Sequence, residues 1–204
     1  SLAMRVTAIA HVALRIQRHV DAALAMRLAL LLADKLGSLD DEEGAVTLID
    51  QEIDSAAGAP VDAMVWRAAT AMRLRLLVAL KMFDRGNQIV DAYELDERHE
   101  ADAFELDILV NGAKCAMMVN RQDVAVQRAL LAIEHHQRVD ASRRGSTWLD
   151  HLVPPTPIPR IYLTAGEALR QARRPLEAIN AFQQGRRQAV RDSNARAAAF
   201  CLSE

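Results

Sequence analysis

Aromatic residues are scarce: Phe, Trp and Tyr together make up 4% of 204 residues. A core must therefore be built from Leu, Ala, Val, Ile and Met. Small side chains of that kind let helix axes approach closely, whereas β-sandwiches lean on β-branched and aromatic residues. Only two cysteines are present, Cys115 and Cys201, far apart and without metal-type spacing. That excludes a disulfide framework and points to reduced, buried thiols in a cytosolic protein. No apolar run exceeds the six residues from Leu28 to Ala33, far short of the roughly 20 needed to span a bilayer. No basic start followed by a hydrophobic stretch and a cleavage site opens the chain, so no secretory signal is read. A cytoplasmic protein with no membrane partner is the expectation.

Catalytic signatures are missing as well. The sequence holds no Gly-rich phosphate loop, no GK[ST], no HExxH, no paired CxxC and no serine nucleophile elbow. In "EHH" at Glu134–His136, neighbouring side chains leave a helix about 100° apart, which is poor geometry for shared metal ligation. His11 and His19 share a face but have no third ligand. The acidic "DAYELDERHEADAFELD" lacks the ordered alternation and glycine of a calcium loop. No enzyme, no metal and no cofactor are expected.

The net charge of −2 is unevenly spread. Residues 1–120 carry 12 Lys+Arg against 19 Asp+Glu, a net of −7, and residues 121–204 carry 13 against 8, a net of +5. Nine carboxylates fall between Asp84 and Asp107, opposed by Arg85 and Arg98 alone. Such asymmetry suits either ordinary solvated helix faces or the steering of a charged partner and head-to-tail self-association. The arginines at 142–145, 172–174 and 185–191 have no interleaved stacking aromatics, so nucleic acid is not an expected partner.

What the chain does have is helical periodicity, with 51% hydrophobic residues recurring at helical spacing. Residues 4–36 lack Gly and Pro and are divided near His19–Asp21, where Asp21 can cap a second helix. Gly37 ends that helix, and "SLDDEE" supplies caps and first-turn acids for a third, ending near Ala57. Pro60 suits the first turn of a helix reaching Phe83. Further helices are expected over 86–97, 100–119, 122–138 (capped by Asn120), 159–172 and 175–200.

The stretch "TAGEALRQARRPLEAINAFQQG" at 164–185 combines helical spacing with glycine at its ends and proline inside. Pro175 removes a backbone hydrogen bond within a helix but is well tolerated in a first turn. "QARRP" is therefore a tight turn between two helices. Gly166 and Ala178 become points where the two touch closely, and Leu176, Ile179 and Phe182 form an apolar stripe.

These residues resemble a tetratricopeptide repeat, a 34-residue helix–turn–helix unit. The match is Ala165-Gly166, then Leu169, then Ala178 with Phe182. A second copy places Ala113, Ala116, Ala125, Ala129 and Ala132 around a turn at Asn120–Gln122. A third takes Ala79 as its first small residue, 34 residues before Ala113, with its turn at Asp84–Gly86. "LADKLGSLDDEEGAVTLID" is a fourth unit with a longer turn. The family's closing proline is absent from every unit, and the 53 residues from Ala113 to Gly166 leave about 19 extra. The extra segment, 139–158, is Pro-rich at its end and is either a lid over the groove or a passive connector. Trp148 and Leu152 are its candidate anchors.

The resemblance implies an all-α, irregular array of antiparallel helix hairpins in a right-handed superhelix, about nine or ten helices in a single domain over 1–204. It also implies a concave face that grips a peptide or a partner helix. Carried over, the groove positions are Asp107, Asn111 and Lys114, with Met117 and Met118, and then Arg160, Glu167, Arg170 and Gln171. Asn111 and Lys114 stand where carboxylate-gripping members of the family use Asn and a basic residue, but Thr164 stands where the second Asn would be. The expected function is non-enzymatic protein or peptide recognition, as in the regulatory regions that front bacterial diguanylate cyclases and transcription regulators. The alternative is a self-associating scaffold. The apolar tail "ARAAAFCLSE" has no convincing stop, so further protein or a homodimer contact through the C-terminal helix is expected there.

Overall fold

Residues 21–56, 61–94, 102–138 and 148–191 are described in a computed structural model, and every regular element among them is an α-helix. The expectations for His11, His19, Pro60, Cys201, the arginines of 142–145 and the 195–204 tail lie outside the described residues. The helices are α1 (Ala22–Gly37), α2 (Glu42–Ser55), α3 (Ala63–Ala79), α4 (Phe83–Glu94), α5 (Ala103–Met118), α6 (Gln122–Arg138), the short α7 (Trp148–Leu152), α8 (Ile158–Gln171) and α9 (Pro175–Arg191). None of those described is long and apolar enough to cross a membrane.

Four of these helices start at an aspartate whose carboxylate accepts orphan backbone N–H groups. Asp21 accepts from Ala23 at 2.9 Å and Leu24 at 3.2 Å, and Asp41 accepts from Gly44 at 3.0 Å. Asp62 accepts from Met64 at 2.8 Å, and Asp102 accepts from Glu105 at 2.8 Å. The caps at Asp21 and in "SLDDEE" are those the sequence indicates. Asp62 caps α3, which begins at Ala63 and stops at Ala79, short of Phe83.

The chain divides into two compact units, 1–82 with 146–154 and 83–145 with 155–204. In the first, α1 packs on α2 and α3, α2 packs on α3, and α7 lies on α1. Leu149 and Val153 are the buried anchors of the 146–154 segment, and Leu152 is half-buried; the Trp148 side chain lies outside what is described. In the second unit the packed pairs run α4–α5, α5–α6, α6–α8 and α8–α9, with α5 also against α8. Its core is largely alanine: Ala113, Ala116, Ala125, Ala129, Ala165, Ala168, Ala178 and Ala181 close around Met117, Val126, Leu169 and Phe182. That is how a chain so poor in aromatics fills an interior.

The turns share one geometry. Asp40, Lys81, Asn120 and Arg173 all hold φ near +60°. After each, the next backbone N–H reaches five residues back: Asp41 to Leu36 O, Met82 to Leu77 O, Arg121 to Ala116 O and Arg174 to Leu169 O, all within 2.8–3.0 Å. This is the Schellman helix stop, built without the usual glycine. It corrects two expectations. Asn120 is the left-handed stop of α5 rather than the N-cap of α6, a role Asn takes because its short polar side chain tolerates that region. Asp84–Gly86 lies inside α4, whose preceding turn is Leu80–Met82, and Ala79 is an exposed helix end. The interval from Ala79 to Ala113 therefore does not join equivalent positions.

A left-handed residue with a β-carbon costs about 1–2 kcal/mol, and the entropy of glycine takes back about 0.5–1 kcal/mol of any relief. Arg173→Gly is thus expected to raise stability by about 0.5 kcal/mol, seen as a higher Tm. Asn120→Gly should gain less. No gain at Arg173 would show that its β-carbon carries no strain, and equal gains would show that the asparagine side chain gives no relief at position 120.

Candidate functional site

The face where α5 meets α8 holds the polar residues that the sequence assigns to a groove. Aligned on their turns, Asp107 of α5 corresponds to Arg160 of α8, Lys114 to Glu167, Met117 to Arg170 and Met118 to Gln171. The face divides into two parts.

In the half near the helix starts, the polar groups are turned inward. Asp107 and Asn111 are both fully buried. The Thr156 hydroxyl donates to the Asp107 carboxylate. The Asn111 amide donates to the Asp107 carbonyl at 2.9 Å, and its side-chain oxygen accepts from Arg160 at 3.1 Å. Thr156 reaches this position because Pro155 and Pro157 hold the chain extended into α8, with Pro157 at the N-cap and Pro159 in the first turn. Part of the Pro-rich connector therefore seats on the α5 helix, and Asp107 and Asn111 are interior structure.

The half near the turns is open. Lys114 is exposed and Met118 is 57% exposed, while Met117 is buried. Arg170 and Gln171 are exposed, and Glu167 is half-buried. Lys114, Glu167, Arg170, Gln171 and Met118 thus make an accessible polar and thioether surface. Just beneath it Cys115 is fully buried, and burial pushes its thiol up to about 11 despite the opposing charges of Arg128 and Lys114. Such a thiol is a packing residue, not a nucleophile.

Sequence reasoning missed the most elaborate polar group in this unit. Arg128 of α6 has a side chain only 1% exposed. It donates to Asn87 Oδ1 at 2.8 Å, to Asp91 Oδ1 at 2.7 Å and to the Gly112 carbonyl at 3.3 Å. Asp91 also accepts from Arg121 at 2.5 Å and from the Asn87 amide at 3.0 Å. Partial burial pushes the Asp91 carboxyl up, but the hydrogen bonds and charges of Arg121 and Arg128 outweigh it and hold it below its ordinary value. The glycine at Gly112 lets α4 come close, since a β-carbon there would stand 2.9 Å from Val90 Cγ1. The signal was present: Arg128 falls in the buried register of Ala125, Ala129 and Ala132.

Other features are weaker. His136 meets Tyr162 edge-on at 6.2 Å between ring centroids, and no group of His, Cys, Asp or Glu suited to a metal ion occurs among the described residues. In the first unit a cleft of about 290 Å³ is bordered by Asp34, Ser38, Met72 and Arg75. Arg75 there donates to the Pro154 carbonyl, so this cation is already used in holding the connector. On α9 the expected stripe splits: Phe182 is buried, while Leu176 and Ile179 are 82% and 52% exposed.

No family model matches the chain, and no curated protein or solved structure matches it either.

Proposed function

We propose that the chain is a tetratricopeptide-like, non-enzymatic recognition module that binds an extended acidic peptide on the turn-proximal half of the α5–α8 face. The observation that carries this reading is the exposure of Lys114 and Met118 on α5 and of Arg170 and Gln171 on the neighbouring α8, with Met118 and Gln171 at corresponding positions. Support for the repeat comes from buried small residues at the same sequence offsets from identical turns: Ala113 and Ala125 about Asn120, and Gly166 and Ala178 about Arg173. Two neighbouring helices with exposed side chains near their turns offer a set of polar contacts. Met118 adds an adaptable apolar one.

The test is a selection of random peptides on the intact chain, followed by binding of the enriched peptides to a Lys114→Glu, Arg170→Glu double variant. Acidic peptides should be enriched, and their affinity should fall at least about tenfold in the variant, equivalent to 1.4 kcal/mol, with the far-UV circular dichroism unchanged. Failure to enrich peptides, or equal binding by both proteins, would overturn the reading.

A further inference from the structure

The solvent face of α9 is not the polar surface expected of an exposed helix. Its inner face buries Ala178, Ala181, Phe182, Gly185 and Ala189. Its outer face presents Leu176 at 82% exposure, Ile179 at 52% and Val190 at 62%. Gln183 and Arg187, both exposed, lie between them on the same line. The seam runs Leu176, Ile179, Gln183, Arg187, Val190, with intervals of three, four, four and three residues. These are the steps of a helix–helix seam, and they are symmetric about Gln183.

From that symmetry we infer that α9 pairs with the α9 of a second copy, antiparallel, with the two-fold axis at Gln183. A two-fold contact sets a surface against itself, so each seam position must suit its mirror position. Here Leu176 meets the partner's Val190, Ile179 packs on the aliphatic stem of the partner's Arg187, and the two Gln183 amides face each other and can exchange hydrogen bonds. Charge selects the direction. Arg186, Arg187 and Arg191 crowd one end of the helix, and Glu177, held by Arg174 at 2.6 Å, lies near the other. A parallel pair would set the two arginine clusters side by side. The antiparallel pair separates the two copies of Arg187 by eight residues along the axis, about 12 Å, beyond the screening length of about 10 Å at moderate salt. The helix dipoles also oppose one another in this arrangement. One helix from each copy makes a small interface, so the dimer is reversible and forms as concentration rises.

This surface is separate from the α5–α8 face, and its test does not depend on any peptide. Sedimentation velocity of the full chain from about 1 µM to about 200 µM, a range suited to a micromolar dissociation constant, should show a monomer passing to a dimer. Ile179→Glu should raise the dissociation constant at least tenfold without loss of helical signal. The geometry is tested by oxidative cross-linking in a Cys201→Ser background. Gln183→Cys should give a covalent dimer, and Ile179→Cys alone should not, because its partner position is Arg187. Ile179→Cys combined with Arg187→Cys should cross-link. A chain that stays monomeric, a dimer indifferent to Ile179→Glu, or self-cross-linking of Ile179→Cys (the signature of a parallel pair) would each overturn the inference. So would a monomer that binds another protein through this face instead.

Discussion

Arg128→Met is expected to destabilise the unit built from α4, α5, α6, α8 and α9 by about 2–4 kcal/mol, read from urea unfolding followed by circular dichroism. The size follows from what is left behind. Methionine keeps much of the aliphatic volume, so cavity formation is a minor term. The Asn87 side-chain oxygen, on a residue 5% exposed, loses a charged donor; an orphaned buried acceptor costs about 1–3 kcal/mol. Asp91 is not orphaned, because Arg121 still reaches it at 2.5 Å and its side chain is 39% exposed. That retained pair keeps the loss below the figure for a stranded buried charge. The Gly112 carbonyl lies within α5, whose own helical bonding persists. Arg128→Lys should recover little, since a single ammonium cannot serve Asn87 and Asp91 in the fork geometry of a guanidinium.

The same group gives the fold an acid-side dependence of known sign. The Asp91 carboxyl is held below its ordinary value in the folded chain, so its contribution is present above that value and is lost as pH falls through the lowered one. In Arg128→Met the depression is smaller, and the slope of stability with pH below the ordinary carboxylate value should flatten. A variant that loses stability equally at all pH values would show that packing, not the ion pair, is what Arg128 supplies.

The helices were legible because their periodicity and their stops are local. Asp21 as a cap, Gly37 as an end and Pro175 as a first-turn residue each act over a few neighbours, and each stands where the sequence places it. Asn120 was readable as a boundary but not as the right kind, because Asn favours both the N-cap and the left-handed stop. Only the backbone path separates them. The Leu176, Ile179 and Phe182 stripe failed on simple geometry: steps of three advance 300° each, leaving Leu176 and Phe182 about 120° apart. The 34-residue spacing from Ala79 to Ala113 matched a period without matching a turn.

The candidate groove was half legible for a different reason. Lys114 and Arg170 are exposed as helix position alone suggests. Asp107 has the same position in its helix as Arg160 in the next, yet it is buried, since Thr156 arrives from 49 residues away. Nothing in the spacing of α5 records that arrival. Arg128 was missed because an arginine in an alanine-rich register reads as a solvated residue unless its partners, Asn87 and Asp91, are known to lie opposite.

Gly166→Ala is expected to destabilise the α8–α9 hairpin by about 1–2 kcal/mol, against the direction that helix propensity alone gives. Propensity favours alanine over glycine inside a helix by about 1 kcal/mol. The opposing effect is steric. A β-carbon at Gly166 would stand 2.4 Å from Phe182 Cε1, 2.6 Å from Cδ1 and 2.7 Å from Cζ. Three ring atoms lie within contact, so no rotation of a flexible tip relieves the clash. The ring is 4% exposed and enclosed by Ala165, Ala168, Ala178 and Ala181, which leave it little room to withdraw. Overpacking of this kind costs about 1–3 kcal/mol, enough to exceed the gain in propensity. The cause is separated from a general glycine effect by a double-mutant cycle with Phe182→Leu. That single change should cost about 1–2 kcal/mol by loss of ring volume, and the pair together should cost less than the sum, because the smaller side chain vacates the space the new methyl needs. Additive losses, or a stabilised Gly166→Ala, would mean that the two helices are not held apart at the distance the ring sets. The joint at Gly166 would then be a matter of helix entropy rather than of close approach.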